Sequence, residues 1–147
     1  MTTILADARR GVIVSDSNLT DGERSWSTRK VHRVKSMLIG LAGTMLESLS
    51  FLQWARSGMS TPPDFAFDHC TALVLDSSGL YLFDMNTDGL TKVTRGIESI
   101  GTGGMGAMCA YEALGYQDPA RAVRISCKHD AGSRGPVRTY RLAGRAA

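Results

Sequence analysis

Short apolar runs, broken by glycines and polar turns, dominate this chain, and their length favours strands over helices. Ile4-Leu5-Ala6 and Val12-Ile13-Val14 flank Arg9-Arg10-Gly11, which predicts a hairpin over 2–8 and 11–16 with glycine at the turn. Asp16 ends the second strand, and the polar stretch 17–27 predicts a loop with some extended structure. Strands follow over 30–34 and 36–42, the second nearly all apolar, as a strand covered on both faces should be. Gly43 then opens a helix in which Met45, Leu46, Leu49 and Leu52 fall near a three-four spacing. Glu47 sits near its start, where the helix dipole favours an acid, and Gly58 with Pro62-Pro63 stops it.

The second half repeats the pattern. Residues 70–76 and 80–85 flank Ser77-Ser78-Gly79, a second hairpin, and a short strand over 90–94 follows Asp88-Gly89. Gly101-Thr102-Gly103-Gly104 precedes a helix over 105–114. Asp118-Pro119 starts another, with an acid at the cap and proline at the first helical position, ending near 128–130. A last strand covers 137–142. Strands, helix, strands, two helices and a strand predict an α+β fold of two packed sheets with helices outside.

Composition narrows the class. At 147 residues the chain fits one domain, 1–147, large enough to bury a core without disulfides or metals. Its 43% hydrophobic and 21% charged residues suit a soluble protein, and no apolar run reaches the roughly 20 residues of a membrane span. The N-terminus lacks the basic, apolar and small-residue regions of a signal peptide, which predicts a cytoplasmic protein with no membrane partner. Cys70, Cys109 and Cys127 are odd in number and widely spaced, as reduced thiols are. His32, His69 and His129 show no metal-ligand spacing, so no metal is expected. The net charge of +3 is mild, and the basic stretches 24–35 and 121–145 lack the interleaved aromatics of a nucleic-acid surface.

Candidate chemistry begins at Thr2. With Met1 removed, this residue carries a free amine beside a hydroxyl, and an uncharged amine titrating near ~8 can take the hydroxyl proton. The hairpin would hold that amine in a sheet. Several later pieces fit around it: Asp16 after the second strand, Lys30-Val31 leading a strand, Gly40-Leu41-Ala42-Gly43, Ile100-Gly101-Thr102-Gly103-Gly104, and Asp130-Ala131-Gly132-Ser133. Taken singly, each has a plain structural reading. Asp16 can be a strand-end turn residue, Lys30 one charge of a basic strand, and Asp130 and Ser133 caps of the turn after the last helix. Gly101–Gly104 resembles a phosphate-cradling turn at a helix start, but it lacks the Lys-Ser/Thr ending of a P-loop.

In that order and spacing, the pieces resemble the proteasome β-subunit and HslV-type peptidases, a family of N-terminal-nucleophile hydrolases, over nearly the whole chain. The resemblance implies a four-layer α/β/β/α sandwich and a threonine endopeptidase that works inside a ring of identical subunits. By it, Thr2 Oγ is the nucleophile and its own amine the base. Lys30 lowers the amine's pKa by like-charge repulsion and relays protons, and Asp16 keeps Lys30 charged and aimed. The Gly43 N–H stabilises the oxyanion, a role for which close backbone approach suits glycine. Asp130 and Ser133 hold the amine, and Thr102 stands where the family has a serine. The Thr20 backbone pairs with an extended peptide. Thr28, His32 and Met45 line a medium-sized, fairly apolar pocket for the side chain preceding the cut. The family needs no cofactor. Its partners would be peptide or unfolded protein and an ATP-dependent unfoldase.

This chain departs from the family in three ways. It is short after the first helix, where 58–67 holds two prolines and no periodic run in place of a second long helix, which puts double-ring stacking and unfoldase docking in question. Asn18 stands where many relatives have arginine. A retained Met1 would leave no free amine. Two other readings stay open: a small-amide hydrolase of the same fold, and a structural or assembly relative without activity.

Overall fold

The N-terminal apolar runs pair as their alternation predicts. In the computed structural model, which describes residues 1–61, 63, 67–87 and 89–144, β1 (Ile4–Asp7) and β2 (Val12–Ser15) form an antiparallel hairpin with Ile4 opposite Ser15. Gly11 turns it at φ 63°, a left-handed conformation that suits glycine. The chain's last strand and a strand preceding the glycine-rich turn add to this hairpin. With β10 (Ile97–Ile100) and β11 (Arg138–Arg141) they make a four-stranded antiparallel sheet in the order β10-β1-β2-β11. A five-stranded antiparallel sheet runs β5-β6-β7-β8-β9, from β5 (Val31–Val34) and β6 (Met37–Gly43) through β7 (Cys70–Asp76) and β8 (Gly79–Phe83) to β9 (Thr91–Lys92).

Three apolar layers hold these elements. Ile4, Ala6 and Ile13 of the first sheet meet Val31, Leu38, Leu73 and Leu80 of the second in the core between them. The outer face of the five-stranded sheet is covered by α1 (Met45–Arg56), which buries Phe51, Leu52 and Ala55 against Ile39, Leu41, Ala72 and Val74. The outer face of the four-stranded sheet is covered by α2 (Gly104–Ala113) and α3 (Pro119–Cys127), where Ala107, Tyr111, Ala122 and Val123 pack on Leu5, Val14 and Ile97. Because β1 and β2 are buried on both faces, they read as unbroken apolar runs. The result is the α/β/β/α sandwich expected from the sequence.

The structure corrects several local expectations. The stretch read as a loop over 17–27 is a second hairpin, β3 (Asn18–Asp21) and β4 (Arg24–Ser27), turned at Gly22 and pairing only with itself among the described residues. Its residues beyond Asn18 are largely exposed, so no core pattern marks it. No apolar alternation in the sequence marks β10. Gly43 ends β6 and does not open the helix; Thr44 caps α1, its side chain accepting the Glu47 N–H at 3.4 Å. Gly43 has φ 123°, and a Cβ there would lie 1.8 Å from the His69 carbonyl oxygen, so the strand-to-helix corner requires glycine. Pro62 of the expected helix stop and Asp88 of the expected turn lie outside the described residues, as do 64–66 of the shortened segment. Among the described residues no helix follows α1 before β7.

Candidate active site

The two sheets and their corners bring most of the sequence-predicted residues to Thr2. Asp16, 0% exposed, sits just past the end of β2, where its own N–H donates to the Thr3 carbonyl at 3.1 Å. Its carboxylate accepts backbone N–H groups from Thr3 (2.9 Å), Asn18 (3.2 Å) and Arg134 (3.3 Å). It also accepts from Lys30 Nζ at 3.0 Å on both oxygens. These donors, three from the backbone and one from a side chain, fix the carboxylate in place from several sides.

Lys30 is 6% exposed and enters from the residue before β5. Besides Asp16, its ammonium donates to Thr2 Oγ1 at 3.0 Å and to the Met1 carbonyl at 2.9 Å. Burial holds its pKa below the ordinary lysine value, while the charge of Asp16 and the hydrogen bond to it pull the other way. A lysine so balanced lies closer to neutral pH than a surface lysine and can give up and regain a proton more readily.

On the other side of Thr2 lies a chain of hydroxyls and one acid. With Met1 in place, the Thr2 nitrogen is an amide whose N–H points at Thr102 Oγ1, 3.4 Å away. Thr102 Oγ1 in turn donates to Asp130 Oδ2 at 3.0 Å, and Ser133 Oγ donates to the same carboxylate oxygen in a short hydrogen bond. The turn carrying Thr102 comes this close because Gly101 has φ 88°, and a Cβ there would lie 2.1 Å from the Thr2 carbonyl oxygen. Thr102 thus occupies the junction between the Thr2 nitrogen and Asp130.

Two cavities meet at Thr2, and Thr2 and Gly43 line both. One, about 260 Å³, is walled by Leu19, Leu41, Met45, Leu49 and Leu52, with Thr28, Arg29, His32 and Ser48 among its polar lining. Thr28, His32 and Met45 therefore share one cavity. Burial lowers the His32 pKa, and Arg29 and Arg56 lower it further, so its ring is neutral near neutral pH. The other cavity, about 660 Å³, is lined by Met1, Thr44, His69, Thr71, Gly101 and Thr102. Thr20 lines neither; it is exposed on β3 opposite Ser25, and its neighbour Leu19 reaches the smaller cavity.

Several participants escaped the sequence reading. Thr3 is fully buried, donating its hydroxyl to Ser133 Oγ at 2.7 Å as well as its N–H to Asp16. The Asn18 side chain donates to the Gly132 carbonyl at 2.8 Å, tying the first hairpin's exit to the Asp130–Ser133 turn. Both residues act through chain segments distant in sequence; the adjacency of Thr3 to Thr2 and the family position of Asn18 were the only clues. Cys127 also lies beside this cluster, but burial, followed by Asp16 and Asp130, pushes its thiol up to about 11. It is therefore no thiolate at neutral pH and no rival nucleophile. Among the described residues, no group of three or more His, Cys, Asp or Glu side chains is arranged to hold a metal, and no helix is long and apolar enough to cross a membrane.

No family model matches this sequence, and no curated protein matches it. Solved structures do match its fold. The eukaryotic HslV of Trypanosoma brucei superposes with a TM-score of 0.75 at 22% identity, covering 95% of this chain and 98% of that one. BPH of Thiobacillus denitrificans in complex with epoxomicin gives 0.73 at 16% identity over 97% of this chain and 100% of that one. A second BPH structure gives 0.71 at 15% identity over 99% and 100%. The chain has the fold of these proteins over nearly its entire length, and the resemblance read from its sequence holds at the level of the fold.

Proposed function

We propose that this chain, once Met1 is removed, is a threonine peptidase that uses Thr2 as nucleophile and works in a ring of identical subunits. The observation that carries this reading is the position of Thr2 Oγ1, 3.0 Å from the ammonium of a buried, carboxylate-anchored Lys30 and at the junction of two cavities. The fold shared with HslV and with an epoxomicin-bound BPH agrees with it.

In this mechanism the Thr2 amine takes the Oγ proton as Oγ attacks the substrate carbonyl carbon. Lys30 keeps the amine neutral by charge repulsion and steadies the developing alkoxide. The Gly43 N–H receives the oxyanion; losing one such donor costs about 100–1,000-fold in rate. The ammonium then returns its proton to the departing amine, leaving an ester on Thr2. Water, deprotonated by the same amine, attacks that ester, releases the acid and restores the hydroxyl. Thr102, Asp130 and Ser133 orient the amine. The smaller cavity takes the side chain preceding the cut, and the Thr20 backbone on β3 pairs with the peptide. Leu46 on α1 and Met105 on α2, exposed on the two outer layers, suit a head-to-tail contact between copies. An ATP-dependent unfoldase would be the partner that feeds the ring.

Intact mass before and after incubation with epoxomicin tests the reading. Loss of the Met1 mass and a single adduct, absent in Thr2→Ala, is the expected result. A retained Met1 or an unreactive Thr2 terminus would overturn it, and the chain would then stand as a relative without activity.

A further inference from the structure

Two separate turns must meet for Thr102 and Asp130 to act on the Thr2 nitrogen, and one residue touches both. Ser126, 3% exposed in the last turn of α3, donates its hydroxyl to the Gly103 carbonyl at 2.6 Å, one residue beyond Thr102. Its own carbonyl accepts the N–H of His129 and of Asp130, each at 2.9 Å. Gly103 in turn donates its N–H to the Thr2 carbonyl at 3.1 Å. The side chain of Ser126 therefore holds the turn that carries Thr102, and its backbone holds the turn that carries Asp130.

The fit leaves little choice of residue. A Cβ at Gly103 would lie 2.9 Å from Ser126 Oγ and 1.8 Å from Thr3 Oγ1, and one at Gly106 would lie 2.9 Å from Ser126 Oγ. The two glycines clear room for one hydroxymethyl group between α2 and α3. A larger side chain at 126 would crowd the two glycines, and alanine would keep the Cβ but lose the oxygen that grips the turn. Gly103 O also accepts the Ala107 N–H at 3.0 Å, so losing the serine hydroxyl leaves no bare carbonyl, only a looser turn.

We propose that Ser126 is a positioning residue that sets the Thr102–Asp130 pair against the Thr2 amine. It touches neither substrate nor reacting atoms. This rests on the peptidase reading only for the use to which the amine is put. The Asp130 carboxylate, acting through the Thr102 hydroxyl, favours the protonated amine, in opposition to Lys30. Slackening the pair weakens that opposition, so the amine's pKa falls, and its misorientation slows turnover by about tenfold to a hundredfold.

The test uses the chain released from a cleavable fusion with Thr2 at its terminus. The amine is titrated by nitrogen NMR in the wild type, Ser126→Ala and Ser126→Cys, alongside thermal unfolding and the pH profile of kcat/KM. The expected result is a lower amine pKa in Ser126→Ala, a smaller shift in Ser126→Cys, and an acid limb of kcat/KM displaced to lower pH in the same order with KM unchanged. An amine pKa that stays put or rises, with only the melting temperature altered, would overturn the proposal. If the wild type is inert to peptides and epoxomicin while the amine still shifts, the peptidase reading fails and the positioning role stands. If the wild type is active and the amine does not respond, the reverse holds.

Discussion

Two buried aspartates, one at each end of the first hairpin, each gather several hydrogen-bond donors around one carboxylate. Asp16 anchors Lys30. Asp7, fully buried at the end of β1, accepts the Tyr111 hydroxyl at 2.7 Å, the Arg9 N–H at 2.9 Å and the Arg9 side chain at 3.2 Å. Burial alone would raise the Asp7 pKa, but the Arg9 and Tyr111 hydrogen bonds outweigh it and lower the value. Burial and the bond to Asp7 push Tyr111 up to about 12. Because that is above the unfolded value of about 10, the bond contributes its full stability below about pH 10 and loses it as pH rises through 12. Tyr111→Phe should cost about 1.5 kcal/mol at pH 7, as bonds to charged groups do, and should flatten the alkaline fall in stability. Urea unfolding at pH 7 and pH 11 checks both; equal loss at the two pH values would refute the assignment. Asp16 stood out in the sequence through the motif order around Thr2. Asp7 did not, because its partner lies more than a hundred residues away.

At the scale of elements, α1 carries most of the outer layer over the five-stranded sheet. Phe51 makes edge-on contacts with Trp54, Phe67 and Phe83 at centroid distances of 5.4, 5.7 and 5.2 Å, joining the helix to the strands and to the residues before β7. Phe51→Ala should therefore destabilise the fold by about 3–5 kcal/mol, measured by denaturant titration, and a loss under 1 kcal/mol would mean the cluster repacks freely. The helix lies where the sequence predicts it, but Met45, Leu46 and Leu49 of the predicted apolar spacing are exposed, and Phe51, Leu52 and Ala55 face the sheet. The strand β10, by contrast, was hidden. Ile97 and Ile100, three residues apart in a strand, point to opposite faces: Ile97 packs under α2 and α3, and Ile100 enters the core between the sheets. Glu98 and Ser99 intervene, and no alternation results. The β3–β4 hairpin escaped for the complementary reason, since it buries almost nothing.

The assembled molecule leaves apolar surface on both outer layers. Leu46 of α1 is 76% exposed and Met105 of α2 is 75% exposed. If these faces join copies into a ring, Leu46→Glu should leave the subunit folded, with an unchanged melting curve at low concentration, and shift its native mass to that of a monomer. A ring of undiminished mass would place the contact elsewhere.

The sequence by itself determined the sandwich, the helix positions and the residues that gather at Thr2. Apolar periodicity and turn residues act locally, and ordered motifs record which segments must meet. Only the tertiary structure decided the partners. It chose Thr3 and Asn18 as braces, left Thr20 outside both cavities, and set Ser126 across two turns. Those roles depend on distances between segments far apart in the chain, which packing of the two sheets and their helices fixes and which no local pattern encodes.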